Sequence, residues 1–276
     1  MEGFSDFSEV APIRFVLFAL CQTSNSGSCM PAMSLTAPHR ALVLAYGSLL
    51  ATVAGFVNAV AILTLAVPVA NVTATTTQLG MDAASPWMFE TSLLAAIIIG
   101  FLVGAASAGA VLAPAKTHAG ARHSAIMTGE ALLLFLAFTW SGDMLSIFLA
   151  ALACGLQNGT SSSLRTMQIR TTHFTGTVTD LGLLIGRSRR HRFDSWRAAV
   201  LSATVITFIT GSVAGTVLGS RIGEAALLLP AAVCVLIAVA GLAYDRQRPL
   251  LAPPTESGPR TTADRDEPEL RRAGVS

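Results

Sequence analysis

The stretch "NVTATTTQLG", residues 71–80, returns at residues 173–182 as "HFTGTVTDLG". Thr73, Thr75, Thr77, Leu79 and Gly80 align with Thr175, Thr177, Thr179, Leu181 and Gly182 at a shift of 102 positions. A polar phrase repeated inside apolar surroundings points to a duplicated unit, and the echo extends both ways. Upstream, Leu49, Ala51, Gly55 and Asn58 match Leu149, Ala151, Gly155 and Asn158 at a shift of 100. Downstream, Gly100, Gly104 and Ala108 put small residues at every fourth position, as do Gly211, Gly215 and Gly219, which aligns them at a shift of 111. A small-residue triplet is common in a chain rich in Gly and Ala. Matching blocks in one order are not.

Composition says where such a duplicate lives. The chain has 276 residues, 52% of them hydrophobic and 12% charged, with mean hydropathy +0.61. A soluble domain carries about 25% charged residues, so this is the make-up of an integral membrane protein. The net charge of +2 names no nucleic-acid partner, because the arginines sit in short clusters between apolar runs. Cys21, Cys29, Cys154 and Cys234 have no metal-binding spacing and are expected to be small buried residues. No metal or cofactor is expected.

Six runs are long enough to cross a bilayer, which takes about 20 apolar residues. They are 41–67, 91–112, 121–140, 144–158, 198–218 and 225–244. The fourth is short and needs "CGLQNGTSSSL" to finish its crossing. Arg40, Lys116, Arg122, Arg165, Arg170, Arg187, Arg189, Arg190, Arg192, Arg197, Arg246 and Arg248 then all fall on one side. Asp82, Glu90, Asp143, Glu224 and the single Arg221 fall on the other. Basic residues mark the cytoplasmic face, so both termini are expected in the cytoplasm.

The expected fold is an all-α polytopic membrane protein of six transmembrane helices, built as two inverted three-helix repeats. Three spans per copy is odd, so the second copy enters from the opposite side, an arrangement common in secondary transporters. Residues 39–140 form the first repeat and 141–248 the second. Residues 1–38 are expected to be a disordered leader, with 1–32 lying ahead of the start if that is Met33, the alternative being a signal peptide, and 249–276 a disordered polar tail. The small-residue stripes predict close packing of spans two and five against each other.

Polar groups inside the apolar spans are the candidates for function. Asn58, Gln157 and Asn158 need partners or water. Thr73, Thr75, Thr77, Thr175, Gly176 and Thr177 fit a pair of broken-helix segments beside one shared cavity, with Gly176 making the second segment the more irregular. The competing reading is an interfacial segment whose hydroxyls bond locally. Glu130 and Asp180 are the candidates for proton coupling, because intramembrane acids mark proton relays. His118 and His123 fall in a loop and at a span end, and no hydrolase or nucleotide motif occurs, so the sequence predicts no enzyme.

The blocks "AGFVNAVAIL", "NVTATTTQLG", "CGLQNGTSSS" and "HFTGTVTDLG" resemble the YoaK-type bacterial membrane proteins that carry the DUF1275 domain. The resemblance covers about residues 41–244 and implies six spans and an inner-membrane location, with no assigned activity. The family pattern has Asp where this chain has Asn58, and Thr-Gly-Asn where it has Thr73, Ala74 and Thr75. The expected function is transport of a small solute, with a non-transporting scaffold or assembly protein as the alternative. The expected partners are the lipid bilayer and that solute, and a homo-oligomer is compatible with this reading.

Overall fold

The computed structural model describes residues 37–85, 91–112, 119–163, 171–188 and 193–251. The leader at 1–38 and the tail at 249–276 lie almost wholly outside the described residues, as do Lys116 and Arg189, Arg190 and Arg192 of the basic clusters. Among the described residues the regular structure is helical throughout. It comprises α1 (Ala37–Leu65), α2 (Val72–Ala84), α3 (Thr91–Leu112), α4 (Ala119–Thr139), α5 (Met144–Ser162), α6 (Phe174–Arg187), α7 (Ser195–Ile222), a 3-10 turn (Gly223–Leu227) and α8 (Leu228–Leu251).

Local chemistry sets these boundaries. Ala66 closes α1 in the left-handed region, at φ 56°, and Pro68 then bars continuation. Helix α5 continues past Asn158 to Ser162, so "CGLQNGTSS" does complete the fourth long helix. Helices α1, α3 and α5 are each long and apolar enough to cross a membrane. The fourth apolar stretch runs Ser195–Ala243, 49 residues. At 1.5 Å per residue that is about 74 Å, more than twice the hydrocarbon thickness. The stretch therefore folds back on itself at the 3-10 turn, where Gly223 takes φ 60°, a conformation that glycine adopts without penalty. Helix α4 has 21 residues, a spanning length, but it carries Arg122, His123 and Glu130 and is less apolar than the others.

The long helices pack in pairs: α1 along α7, α3 along α5, and α4 along α8. Leu50, Ile97, Leu134 and Leu227 fill the interior, while Leu102, Ile206 and Leu236 point outward and are more than half exposed. That inside-out distribution of large apolar side chains suits a helical bundle surrounded by lipid.

The small-residue stripes explain the first two pairs and correct the sequence expectation. Helices α3 and α7 do not chiefly pack on each other. Helix α3 packs on α5, and α7 on α1. A Cβ on Gly104 would strike the backbone carbonyl of Leu152, and one on Gly155 would strike that of Phe101. On the other pair, a Cβ on Gly211 would strike the carbonyl of Thr52, and one on Gly55 that of Phe208. Gly100 abuts Phe148 and Ala151, Ala108 abuts Gly159, and Gly215 and Gly219 lie over Phe56 and Val60. Thr52 and Leu152 are equivalent at the shift of 100 found upstream. Their glycine partners are Gly211 and Gly104, a shift of 107. The alignment of the stripes at 111 is therefore one helical turn out of register. At 107, Phe101 also falls on Phe208 and Ala108 on Gly215.

Candidate functional site

The echo segments are regular helices, not broken ones. In α2 the hydroxyls of Thr75, Thr76 and Thr77 bond back to the carbonyls of Asn71, Val72 and Thr73, at 3.1, 2.8 and 3.1 Å. In α6, Thr177 and Thr179 bond to His173 and Thr175 at 2.9 and 2.8 Å. Such i−4 bonds satisfy a threonine inside a helix without any cavity. Thr75 and Thr177 are buried, whereas Thr73, Thr77 and Thr175 are exposed. Helix α2 packs on α3 and α6 on α7, so the two segments sit against different helices.

Gly176 does not break α6. Asn71 caps α2, its side chain accepting from the backbone N–H of Ala74 at 3.2 Å. The equivalent His173 makes no such bond. Its ring instead lies over Gly176, in the space that a Cβ would take. The ring of Phe174 packs on Phe208, with centroids 4.3 Å apart, and fastens α6 to α7.

The three amides hold chain to chain. Asn58 Oδ1 accepts from the N–H of Ala70 at 3.0 Å. Asn158 Oδ1 accepts from the hydroxyl of Thr172 at 3.1 Å. Each therefore ties the end of a long helix to the connection that leads into its short one. Gln157 is buried and donates to the carbonyl of Leu50 at 3.1 Å, which levels α5 against α1. In that register Asn58 and Asn158 lie roughly 12 Å apart along the axis, at 1.5 Å per residue. They serve two separate corners.

The buried chemistry gathers along one face of α4. His123, Ser124, Met127 and Glu130 are each at most 3% exposed. Glu130 is in hydrogen-bond contact with Cys234 of α8, and Cys154 of α5 and Tyr46 of α1 are close enough to feel its charge. Its Oε2 is buried without a hydrogen-bond partner among the described residues, as is Ser124 Oγ. The Tyr46 hydroxyl is hydrogen-bonded to Nε2 of His123, the two rings meeting edge to face. Among the described residues no group of His, Cys, Asp and Glu side chains is placed to hold a metal ion.

A family profile described as a protein of unknown function (DUF1275) matches residues 46–240, from Tyr46 to the middle of α8. The chain belongs to the DUF1275 family. No curated protein and no solved structure matches it.

The two acids singled out in this DUF1275 chain have different settings. Asp180 is on the surface of α6, 44% exposed and paired with Arg197 of α7 at 2.9 Å. Glu130 is enclosed, and among the described residues no cation forms an ion pair with it. The sequence carries no sign of Tyr46, and it sets His123 aside as a span-end residue and Cys234 as a small buried one. One signal was available: His123 and Glu130 are seven apart, two turns along one helical face. The tyrosine comes from another helix, and spacing within α4 cannot show it.

Proposed function

We propose that this DUF1275 protein is an inner-membrane carrier of a small solute, built from two inverted three-helix halves and coupled to protons through Glu130. The observation that carries the reading is Glu130 itself. It is 2% exposed, eleven residues into a helix of 21, and without an ion-pair partner among the described residues. A carboxyl group there is expensive, and such groups in membrane helices serve proton relays or ion pathways. A purely structural helix would be more stable with leucine in that place.

The inverted arrangement is supported by the equivalence of contacts. The α1–α7 pair repeats the α3–α5 pair, glycine against carbonyl, and the Asn58 tether repeats that of Asn158. Two similar halves of opposite orientation can rock between states open to either side. Positive residues place both termini in the cytoplasm on this reading. The α4–α8 pair, one helix from each half, then lies across the pseudo-two-fold, with Glu130 at its seam. A scaffold of the same fold would have no use for the acid.

The test is flux. Proteoliposomes loaded with a pool of small metabolites are given a pH gradient, and their contents are followed by mass spectrometry. The expected result is movement of at least one solute that depends on the gradient, and loss of that dependence in Glu130→Gln with the fold retained. If the wild-type vesicles move nothing that empty vesicles do not, the scaffold reading replaces this one.

A further inference from the structure

Glu130 lies about 16 Å from the Ala119 end of α4 by helix rise, so a proton needs a path to reach it. The buried face of α4 supplies the stations. His123 is one turn inside that end, and Glu130 is two turns further, about 10 Å away. Tyr46 packs with Met127, the residue between them on the same face. Its hydroxyl is bonded to His123, and Glu130 lies within electrostatic range of it, one turn beyond Met127. Two further atoms mark the gaps. Ser124 Oγ and Glu130 Oε2 are buried and without partners among the described residues. Buried polar atoms are almost always bonded, and ordered water is the usual partner when protein supplies none.

We propose that His123 and Tyr46 form a proton route between the Ala119 end of α4 and Glu130, completed by water at Ser124 and at Glu130 Oε2. The proposal rests on reading Glu130 as the coupling acid. In one passage, a proton binds His123 Nδ1 and the Nε2 proton passes to the Tyr46 oxygen. The tyrosine's own proton leaves through water to the Glu130 carboxylate. Tyrosine ends as it began, and the imidazole ends as its Nδ1–H tautomer, which water-assisted proton exchange between its two nitrogens returns to the Nε2–H form with no net charge moved. One proton moves, and no electrons are transferred. The other titratable groups around α4 are few. Helix α8 presents Cys234 at the Glu130 end and Asp245 against Gly120 at the mouth, and α5 presents Cys154. The 3-10 turn, which also packs on α4, carries Glu224, whose Oε2 is likewise buried without a partner among the described residues.

The test follows the proton on Glu130 directly, with no need of a transported solute. The full-length protein is reconstituted, the pH is jumped on the side of the Ala119 end, and the infrared band of protonated carboxyl is timed. Glu130→Gln identifies the band by removing it. Tyr46→Phe keeps the ring and loses the hydroxyl, and His123→Gln removes the imidazole. Each should leave the amplitude of the band and slow its response about 100-fold, the order expected for loss of a positioned acid–base group. Response at the wild-type rate in either folded variant overturns the route. Should one variant fail to fold by thermal melting, the other decides. A band that persists unchanged in Glu130→Gln means that Glu130 exchanges no proton, and the coupling reading then fails with the route.

Discussion

Replacing Gly104 or Gly211 with alanine adds one methyl group at a point where two backbones touch. The Cβ of an alanine at 104 would fall 2.7 Å from the backbone nitrogen of Leu156, and nearer still to the carbonyl oxygen of Leu152. At 211 it would fall 2.8 Å from the carbonyl carbon of Thr52, and nearer to its oxygen. Ordinary contact begins at about 3.5 Å, so each pair of helices must part by roughly 1 Å. A gap of that size forfeits between about a quarter and a half of each dispersion contact along the crossing, and overpacking of this kind costs about 1–3 kcal/mol. Since helix backbones yield little, the upper end is expected. Gly109 is the internal control, on the same helix as Gly104 but with nothing within 4 Å of a Cβ. There alanine should be neutral or stabilise by about 0.5–1 kcal/mol, through lower backbone entropy in the unfolded chain. Thermal unfolding of the three variants in one detergent measures all of this. The equivalence of Thr52 and Leu152 demands similar losses from Gly104→Ala and Gly211→Ala. If both melt with Gly109→Ala, the backbones are not in contact, and if only one is destabilised, the two crossings are not equivalent.

Three further outcomes are expected. Single-cysteine labelling from outside the cell, in a background without the native cysteines, should reach position 84 and not position 193, and labelling of both from one side would end the inverted-repeat reading. Gln157→Leu should lower stability by about 0.6 kcal/mol and by no more than about 1.7, the range for hydrogen bonds between membrane helices, and wild-type unfolding would show that the bond to Leu50 does not level α5 against α1. Asp180→Asn should change stability by less than about 1 kcal/mol, because its pair with Arg197 is screened by solvent, and a larger loss in an unfolding titration would make Asp180 an anchor for α6.

The span lengths were legible because lipid demands runs of apolar residues, and α3 begins and ends at the residues its hydropathy marks, 91 and 112. The matched echo positions Thr75 and Thr177 are both buried, as a shared environment for the two segments requires. What spacing could not give was the partner of a face. Gly104 declares a tight crossing, yet nothing in "GFLVGAASAG" tells α5 from α7. Identity also misled the register, since Gly219 looks like the natural third member of a stripe while the contacts put Gly211 opposite Thr52. Composition left the threonines open between broken segments and locally bonded hydroxyls, because a hydroxyl bonded to its own helix leaves no trace in spacing; the i−4 bonds are of the local kind. The site around Glu130 was half visible. The acid stands out in an apolar span, but Tyr46 is 84 positions away and is joined to it only by the packing of α1 and α8 against α4.

The pairing of α1 with α7 and α3 with α5 interlocks the two halves, and this governs the order in which the chain can mature. As α1 leaves the ribosome, the groove at Gly55 has no occupant until Phe208 arrives about 150 residues later, and Gly104 waits for Leu152. At about 5–20 residues per second, α1 stands in the bilayer for roughly 10–30 seconds with its tightest face turned to lipid or to the insertion machinery. A fragment that ends after α4 has made none of its glycine crossings. Severed halves expressed in one cell should find each other and survive, whereas either alone should be degraded.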